Sequence, residues 1–523
     1  MKLAAPPRPI VADATGASAA DSAAIAAGVP SRALMQRAGA AAAAEIVHRY
    51  PGRARHGVVV ATGSGNNGGD GWVVAAALLA AGVPVRVVEC AESGTPDARA
   101  ERESASAAGV ESVPARSLAD AGEPLIVDAL LGTGFSADTP LRGTIADAVN
   151  ELQECAARGA ILVALDLPSG LDATSGRSAG GLRAALTLTF GTFKRGHLVG
   201  REQCGAIVLL DIGLGAHVEA ARGIPLADPA WFRRSLPAIA ADANKGTRGR
   251  IAVVGGSAGM AGAAILAARA ALRSGAGLVK CVVAPESVPA VQEAVPEALA
   301  AAWPIDDASA RSVVGDWADA MLVGPGLGRH EARELVERLL RSSRSPVVLD
   351  ADALNAFAGD AAALAPLLGG RAAILTPHPA EFARLVGGGA SVEDVLADRF
   401  AWPSRVAAQV KASVLLKGVP TIVASPTGGA ILVAEGTPIL ATGGAGDLLG
   451  GIVATLLAQT SDASLAGALA AFAHGRAAAG ASARAVRGYT LDDVLLELRD
   501  VWQLAPPSPR PPVLAELPAV GEP

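Results

Sequence analysis

Aromatic residues are scarce in this chain, making up 3% of its 523 residues with only two tyrosines. Lysine is scarcer still: it occurs six times, at positions 2, 194, 245, 280, 411 and 417, so arginine carries nearly all the positive charge. A lysine kept in such a chain hints that a compact ammonium is wanted at that point. Cysteine occurs four times, at 90, 155, 204 and 281, without metal-ligand spacing or a disulfide framework. That argues against a disulfide-stapled secreted scaffold and for a reduced, cytoplasmic protein. There is no basic block and the net charge is −6, which argues against a nucleic-acid partner while leaving small phosphorylated ligands open. Mean hydropathy is +0.38, yet no apolar run reaches the ~18 residues of a membrane span. The best stretch, residues 72–85, contains Gly82 and Pro84. No membrane partner is expected. Prolines at 6, 7 and 9 replace the apolar core of a signal peptide, so none is expected.

What is present is an Ala/Val/Leu-rich chain, 51% hydrophobic and too long for one ordinary core. Residues 18–50 read as a packing helix. A strand at 58–61 leads into a glycine loop, 63–71, which carries Asn66, Asn67, Gly68, Gly69 and Asp70; a helix at 72–81 and a strand at 85–88 follow. This succession starts a doubly wound sheet, which binds ligands beyond the carboxyl ends of its strands. The loop departs from the dinucleotide fingerprint, because its asparagines and aspartate add side-chain oxygens to the backbone donors; a plain turn is the alternative. Strands at 125–128 and 161–165 lead into two further polar segments. The first runs Gly132, Thr133, Gly134, Phe135, Ser136, Ala137, Asp138, and the second begins at Asp166 and reaches Ser169. A carboxylate at such a strand end points into the ligand crevice or caps a helix. Asn67, Asp128 and Ser169 together offer oxygen ligands to a hard cation, which leaves Asp166 for hydrogen bonding or proton transfer. The strand at 206–210 is expected to close the first sheet. The proline-spotted stretch after it gives domains over 1–228 and 229–504, with a disordered proline-rich tail at 505–523.

In the second half, residues 442–447 read Thr-Gly-Gly-Ala-Gly-Asp ahead of an apolar run. Glycine amides at a helix start can surround an anion, with the helix dipole favouring negative charge. Asp447 then sits where a base could take a proton from a hydroxyl facing that anion; a tight turn with Asp447 as an ordinary first-turn residue is the alternative. Strand candidates recur at 251–254, 278–283, 320–323, 347–349, 373–375, 414–416, 421–424 and 430–433, mostly separated by helical stretches, which makes a second α/β layer structure. Polar groups collect at the strand ends: Gly326 among its neighbouring glycines, Asp350 and Asp352, His378 and Glu381, and Lys417 with Gly418, Val419, Pro420 and Thr421. A lysine directly after a buried strand is well placed for a nucleotide phosphate.

The segments GSGNNGGDG, VDALLGTG and LDLPSGLDATSG resemble the NAD(P)H-hydrate epimerase family, and the resemblance runs over residues 10–215, including a late turn with Lys194. That family interconverts the R and S hydrates of NADH and NADPH. The resemblance implies a Rossmann-like doubly wound fold. It implies hydrate contacts at residues 66–70, 132–138 and Asp166, potassium at Asn67, Asp128 and Ser169, and acid/base work by Asp166. NKGTRGRIAVVGGS, VGPGLG, LDADALN, TPHPAEF, LLKGVPT and ATGGAGDLLGG, over residues 240–490, resemble the ADP- or ATP-dependent NAD(P)H-hydrate dehydratases of the ribokinase-like superfamily. That likeness implies that Ala263, Gly326, His378 and Asp447 face the hydrate, and that residues 417–421 and Gly446 hold the adenine nucleotide. It also implies ADP as co-substrate with magnesium, and Asp447 as the base. Asn244 departs from the pattern, standing where a histidine is expected before Lys-Gly. The implied protein is a bifunctional enzyme, expected to be a homo-oligomer, acting on hydrated NADH and NADPH. The competing reading is a vitamin or sugar kinase fused to a binding domain, since loop-plus-aspartate chemistry is shared.

Overall fold

The computed structural model describes residues 9–115, 118, 121–178, 180–304, 306–330 and 332–520. The chain forms two compact units: Met1–Pro225 with Ser508–Glu522, and Leu226–Pro507.

In the first unit the strands are β1 (Ile10–Ala12), β2 (Val58–Thr62), β3 (Val85–Glu89), β4 (Glu111–Pro114), β5 (Leu125–Ala129), β6 (Ile161–Leu165), β7 (Leu186–Phe190), β8 (Phe193–Lys194), β9 (Ala206–Leu210) and β10 (Ile224–Pro225). A late strand, β20 (Val513–Leu517), returns to it. Among the described residues the main sheet has eight strands in the order β20-β9-β7-β6-β5-β2-β3-β4, parallel except for β20. Alternate residues of β2 face opposite cores. Val58 and Val60 pack with Trp72 and Leu78, whereas Val59 and Ala61 pack with Leu118 and Leu152. A parallel strand buried on both faces needs a continuous apolar run, and β2, β6 and β9 are such runs.

The sheet does not close at β9, and the proline-rich tail is not wholly without structure. Beyond Pro512, β20 pairs antiparallel with β9 and buries Leu517, while Arg510 ion-pairs with Glu45 and Arg49 with Glu516 at 2.6 Å. The unpaired edge of β9 would otherwise expose a row of backbone donors and acceptors. The dense prolines masked a short apolar strand behind them.

Two other expectations change. The helix read over 18–50 is two, Ala14–Ala26 and Ser31–Arg49, separated by Gly28 at φ 98° and by Pro30. The helix expected from residue 72 begins at Asn66, so Asn66 to Asp70 form its first turns rather than a free loop. Glycine permits this: a Cβ on Gly68 would stand 2.0 Å from the Gly63 carbonyl oxygen.

The second unit holds β11 (Arg250–Val254), β12 (Leu278–Val283), β13 (Leu299–Ala302), β14 (Ala320–Val323), β15 (Val347–Leu349), β16 (Ala373–Leu375), β17 (Ser413–Leu416), β18 (Thr421–Ala424) and β19 (Ala430–Val433). Among the described residues they form one sheet in the order β13-β12-β11-β14-β15-β16-β17-β18-β19, antiparallel only at the last two pairings. Ile251 and Val253 face one core, Ala252 and Val254 the other. The short β13 and β4 went unread because both are partly exposed edge strands with little apolar patterning. The parallel strands β11 and β14–β17 end on one side, where the polar segments gather.

Candidate active sites

In the first unit the strand ends of β5 and β6 meet the first turn of the helix Asn66–Ala80, and β7 brings Thr189 to Asp166. Asn67 is buried; its Nδ2 donates to the carbonyls of Leu131 (2.9 Å) and Leu165 (3.1 Å), while Oδ1 is buried with no partner. Ser169 Oγ donates to Asp128 Oδ1 at 2.7 Å and accepts from the Leu131 amide at 3.0 Å. The Ser169 and Leu130 amides also donate to Asp128, at 2.8 and 3.1 Å. Burial pushes the Asp128 carboxyl up to about 6 against these donors. The Leu131 backbone therefore ties Asn67, Asp128 and Ser169 together. An orphaned amide oxygen, a hydroxyl and one under-compensated carboxylate suit a large monovalent cation with oxygen ligands.

Asp166 follows β6 at φ 64°, a left-handed conformation for a residue with a side chain. Its amide donates to the Leu188 carbonyl at 2.7 Å, and His197 Nε2 donates to its carbonyl at 2.7 Å. His197 Nδ1 accepts from the Lys194 amide at 3.0 Å, which fixes this tautomer; burial drives the ring's pKa down to about 3, so it is neutral. Asp166 Oδ1 accepts from Lys194 Nζ and from Thr189 Oγ1 (3.1 Å). Burial would raise this carboxyl, but the Lys194 charge and hydrogen bond outweigh it and hold it below the usual carboxylate range. Asp70 is the opposite case. Burial and the charges of Asp166 and Asp21 push it well above that range, against Lys194. Their surroundings thus push the two carboxyls in opposite directions, Asp166 down and Asp70 up, the kind of separation that acid/base work requires. A Cβ on Gly132 would lie 3.3 Å from Asn67 Cβ and 3.6 Å from Asp166 Oδ2, so the 132–138 segment starts between them. It then leaves: Asp138 is exposed and paired with Arg177 at 2.8 Å, and Asn66, Gly134 and Ser136 face solvent.

In the second unit the helix Ala445–Thr460 is capped by Gly444 at φ 94°, so Gly446 and Asp447 lie in its first turn, where amides have no helical acceptor. A Cβ on Gly446 would lie 3.2 Å from Lys417 Nζ and 3.9 Å from Asp350 Oδ2. Lys417 is ion-paired with the buried Asp350 at 2.6 Å. Its amide donates to the Pro377 carbonyl at 2.9 Å, which sets it beside His378. Burial and the charge of Asp350 raise the Asp447 carboxyl to about 7, against Lys417. His378 caps the helix Pro379–Val386: Nδ1 accepts from the Ala380 (3.1 Å) and Glu381 (3.4 Å) amides, and the ring edge stays half exposed. Burial lowers its pKa against the pull of Glu381. A Cβ on Gly326 would touch Ala263 Cβ at 3.0 Å, and the Gly328 amide donates to Asp352 Oδ2 at 2.9 Å, which fastens that loop to the end of β15. Thr421 instead turns back, donating to the Gly418 carbonyl at 2.7 Å. Asn244 is a turn residue whose side chain accepts from the Gly246 amide at 2.9 Å.

Several contributors were absent from the sequence-derived sites. Thr189 and His197 carry no local signal. Arg399, buried, donates to the carbonyls of Val419 (3.3 Å) and Pro420 (3.0 Å) and so braces the 417–421 segment, again without local signal. Lys194 had one, its rarity.

The family described as NAD(P)H-hydrate dehydratase matches residues 251–499, and the family described as YjeF-related protein N-terminus matches residues 31–196. The bifunctional NAD(P)H-hydrate repair enzyme of Moorella thermoacetica is 36% identical, covering 88% of this chain and 89% of that protein. Those of Salinibacter ruber and Escherichia coli are 38% and 34% identical, covering 83% and 90% of this chain and 84% and 89% of theirs. The crystal structure of the ADP/ATP-dependent NAD(P)H-hydrate dehydratase from Bacillus subtilis is 29% identical and covers 54% of this chain and 98% of its own, with a TM-score of 0.47. With relatives at 34–38% identity over more than four fifths of both chains, this chain belongs to the family of bifunctional NAD(P)H-hydrate repair enzymes.

Proposed function

We propose that the chain repairs hydrated NADH and NADPH in two steps, epimerising the hydrate in the first unit and dehydrating its S form in the second with ADP. What carries the reading is the joint presence of two centres. One is the buried Asp166 carboxylate held by Lys194 and Thr189; the other is a helix start at Gly446 and Asp447 beside Lys417.

In the first unit Asp166 takes the proton of the C6 hydroxyl. The C6–O bond becomes a carbonyl, the C6–N1 bond breaks and N1 keeps the electron pair, which spreads into the conjugated amide. Rotation about C5–C6 and re-addition of N1 to the other face, with the proton returned, inverts the centre. Asn67, Asp128 and Ser169 would hold potassium, whose charge would compensate the buried Asp128 carboxylate.

In the second unit Ala263, Gly326 and His378 line the hydrate side, and residues 417–421 with Gly446 take the nucleotide. Asp447, poised near neutrality, removes the hydroxyl proton while the oxygen attacks the terminal phosphorus of ADP and the bond to AMP breaks. The first-turn amides and Lys417 face the charge on the transferring phosphoryl, and one such donor is worth roughly 3 kcal/mol. Phosphate then leaves C6 with the C–O electron pair, and a proton leaves C5, restoring the ring double bond. Magnesium would enter on the nucleotide phosphates and neutralise their charge. Asp350, whose Oδ2 lies 3.9 Å from where a Cβ on Gly446 would stand, and Asp352 would contact it. The four buried free cysteines support a reducing cytoplasm as its place of work.

The test is incubation of the chain with mixed hydrate epimers and ADP, following return of the reduced-ring absorbance. Complete recovery from both epimers is expected. No recovery, with phosphorylation of a vitamin or sugar instead, would replace this reading by the kinase one.

A further inference from the structure

We propose that Lys194 is the positioning residue of the epimerase centre, its ammonium holding Asp166 through Oδ1 and through Thr189 in the orientation that accepts the hydrate's proton. The inference rests on the reading of Asp166 as the acid/base group.

The geometry supports a positioning rather than a catalytic part. Lys194 is 3% exposed. Its Nζ meets three acceptors: Asp166 Oδ1, Thr189 Oγ1 at 2.9 Å and the Phe190 carbonyl at 3.3 Å. An ammonium has three protons, so this one is saturated by the protein and has none for a substrate. Asp166 needs such support. It stands at φ 64° with its amide and carbonyl both engaged, and a carboxylate this deeply buried would be driven to its neutral form without a cation beside it. The ionisable groups around it come from four elements: Lys194 on β8, His197 on the short helix Arg195–Val199, Asp70 on Asn66–Ala80 and Asp21 on Ala14–Ala26. His197 is neutral and the two aspartates are acidic, so Lys194 supplies the positive charge among them. The choice of lysine also follows. Its compact, rotatable ammonium fits three acceptors at short range, whereas a planar guanidinium would not, which accounts for a lysine in a chain that otherwise uses arginine.

The test uses the full chain and measures enzymatic R/S interconversion of hydrated NADH from about pH 6 to about pH 9 for the parent, Lys194→Gln, Lys194→Arg, Thr189→Val and Asp166→Asn. The parent rate should be flat on the acidic side, because Asp166 stays ionised there. Lys194→Gln should lower kcat at least about tenfold with little change in KM, and its remaining rate should rise with pH as an uncompensated Asp166 loses its proton. Lys194→Arg keeps the charge but not the fit, so it should keep the flat profile with a lowered kcat, and a profile that rises with pH in this variant overturns the proposal. Thr189→Val should shift the profile in the glutamine variant's direction, by less, and stands in if that variant fails to fold. A glutamine or valine variant with the parent's profile, or one with raised KM and unchanged kcat, overturns the proposal. Parent-level activity in Asp166→Asn instead overturns the reading of Asp166. A dead Asp166→Asn beside an unaltered Lys194→Gln removes only the part given to Lys194.

Discussion

Replacing Asp447 by asparagine should cost catalysis and add stability, with the second effect tuned by pH. Burial and the nearby Asp350 charge move this carboxyl from 3.8 to about 7. At about 1.4 kcal/mol per unit, the ionised side chain is about 4 kcal/mol less favourable in the folded protein than in the unfolded chain. The sign follows from the order of the two values. Because the folded pKa is the higher, the penalty is full above it, shrinks as pH falls through it, and vanishes below the unfolded value. Asparagine is neutral throughout. Asp447→Asn should therefore exceed the parent by up to about 4 kcal/mol near pH 8 and by less than about 2 kcal/mol near pH 5. Urea unfolding followed by tryptophan fluorescence suits the measurement, since five of the six tryptophans (231, 303, 317, 402 and 502) lie in the second unit. Dehydration should fall roughly 10²–10⁴-fold with the base gone. In the parent, kcat/KM should lose about tenfold per unit on the acidic side of about pH 7. A variant equally stabilised at both pH values, or one that restores hydrated NADH at the parent's rate, refutes the reasoning.

Further outcomes follow from the same geometry. Lys417→Met leaves Asp350 as a buried unpaired charge and should cost about 3–5 kcal/mol; adding Asp350→Asn should recover stability but not the lost ADP affinity, which titration calorimetry would separate. Potassium should raise the melting temperature of the first unit relative to tetramethylammonium, by a gain of about 2.7 kcal/mol at a hundredfold excess over Kd. Asp128→Asn should abolish that response, and an unchanged response would remove these ligands from the cation site. Deleting residues 508–523 uncovers the edge of β9 and the pocket for Leu517, with a loss of about 2 kcal/mol and concentration-dependent association in light scattering. Unaltered melting without association would show that β20 contributes nothing there.

Much of the design was legible along the chain because its signals are local. The strands of the second unit are short Val/Ile/Leu/Ala runs between glycines and charged residues, and a strand buried on both faces has to read that way. The amides that start the helix at Ala445, and the aspartate beside them, are six consecutive residues. By the same locality, residues 66–70 read as a loop, since asparagine and glycine are turn formers. Close approach of Gly68 to the Gly63 carbonyl, and the burial of Asn67 against Leu131 and Leu165, make them helix instead.

The amino-acid order by itself determined the α/β class, the two halves and the residue types offered to each site. Which of those residues meet was decided only by the tertiary structure. Lys194 is 28 residues from Asp166, Lys417 is 67 from Asp350, and Arg510 is 465 from Glu45. Each pairing neutralises a carboxylate that burial would otherwise make untenable. That requirement exists only once the sheets have formed and water has been excluded, so no local pattern of residues records it.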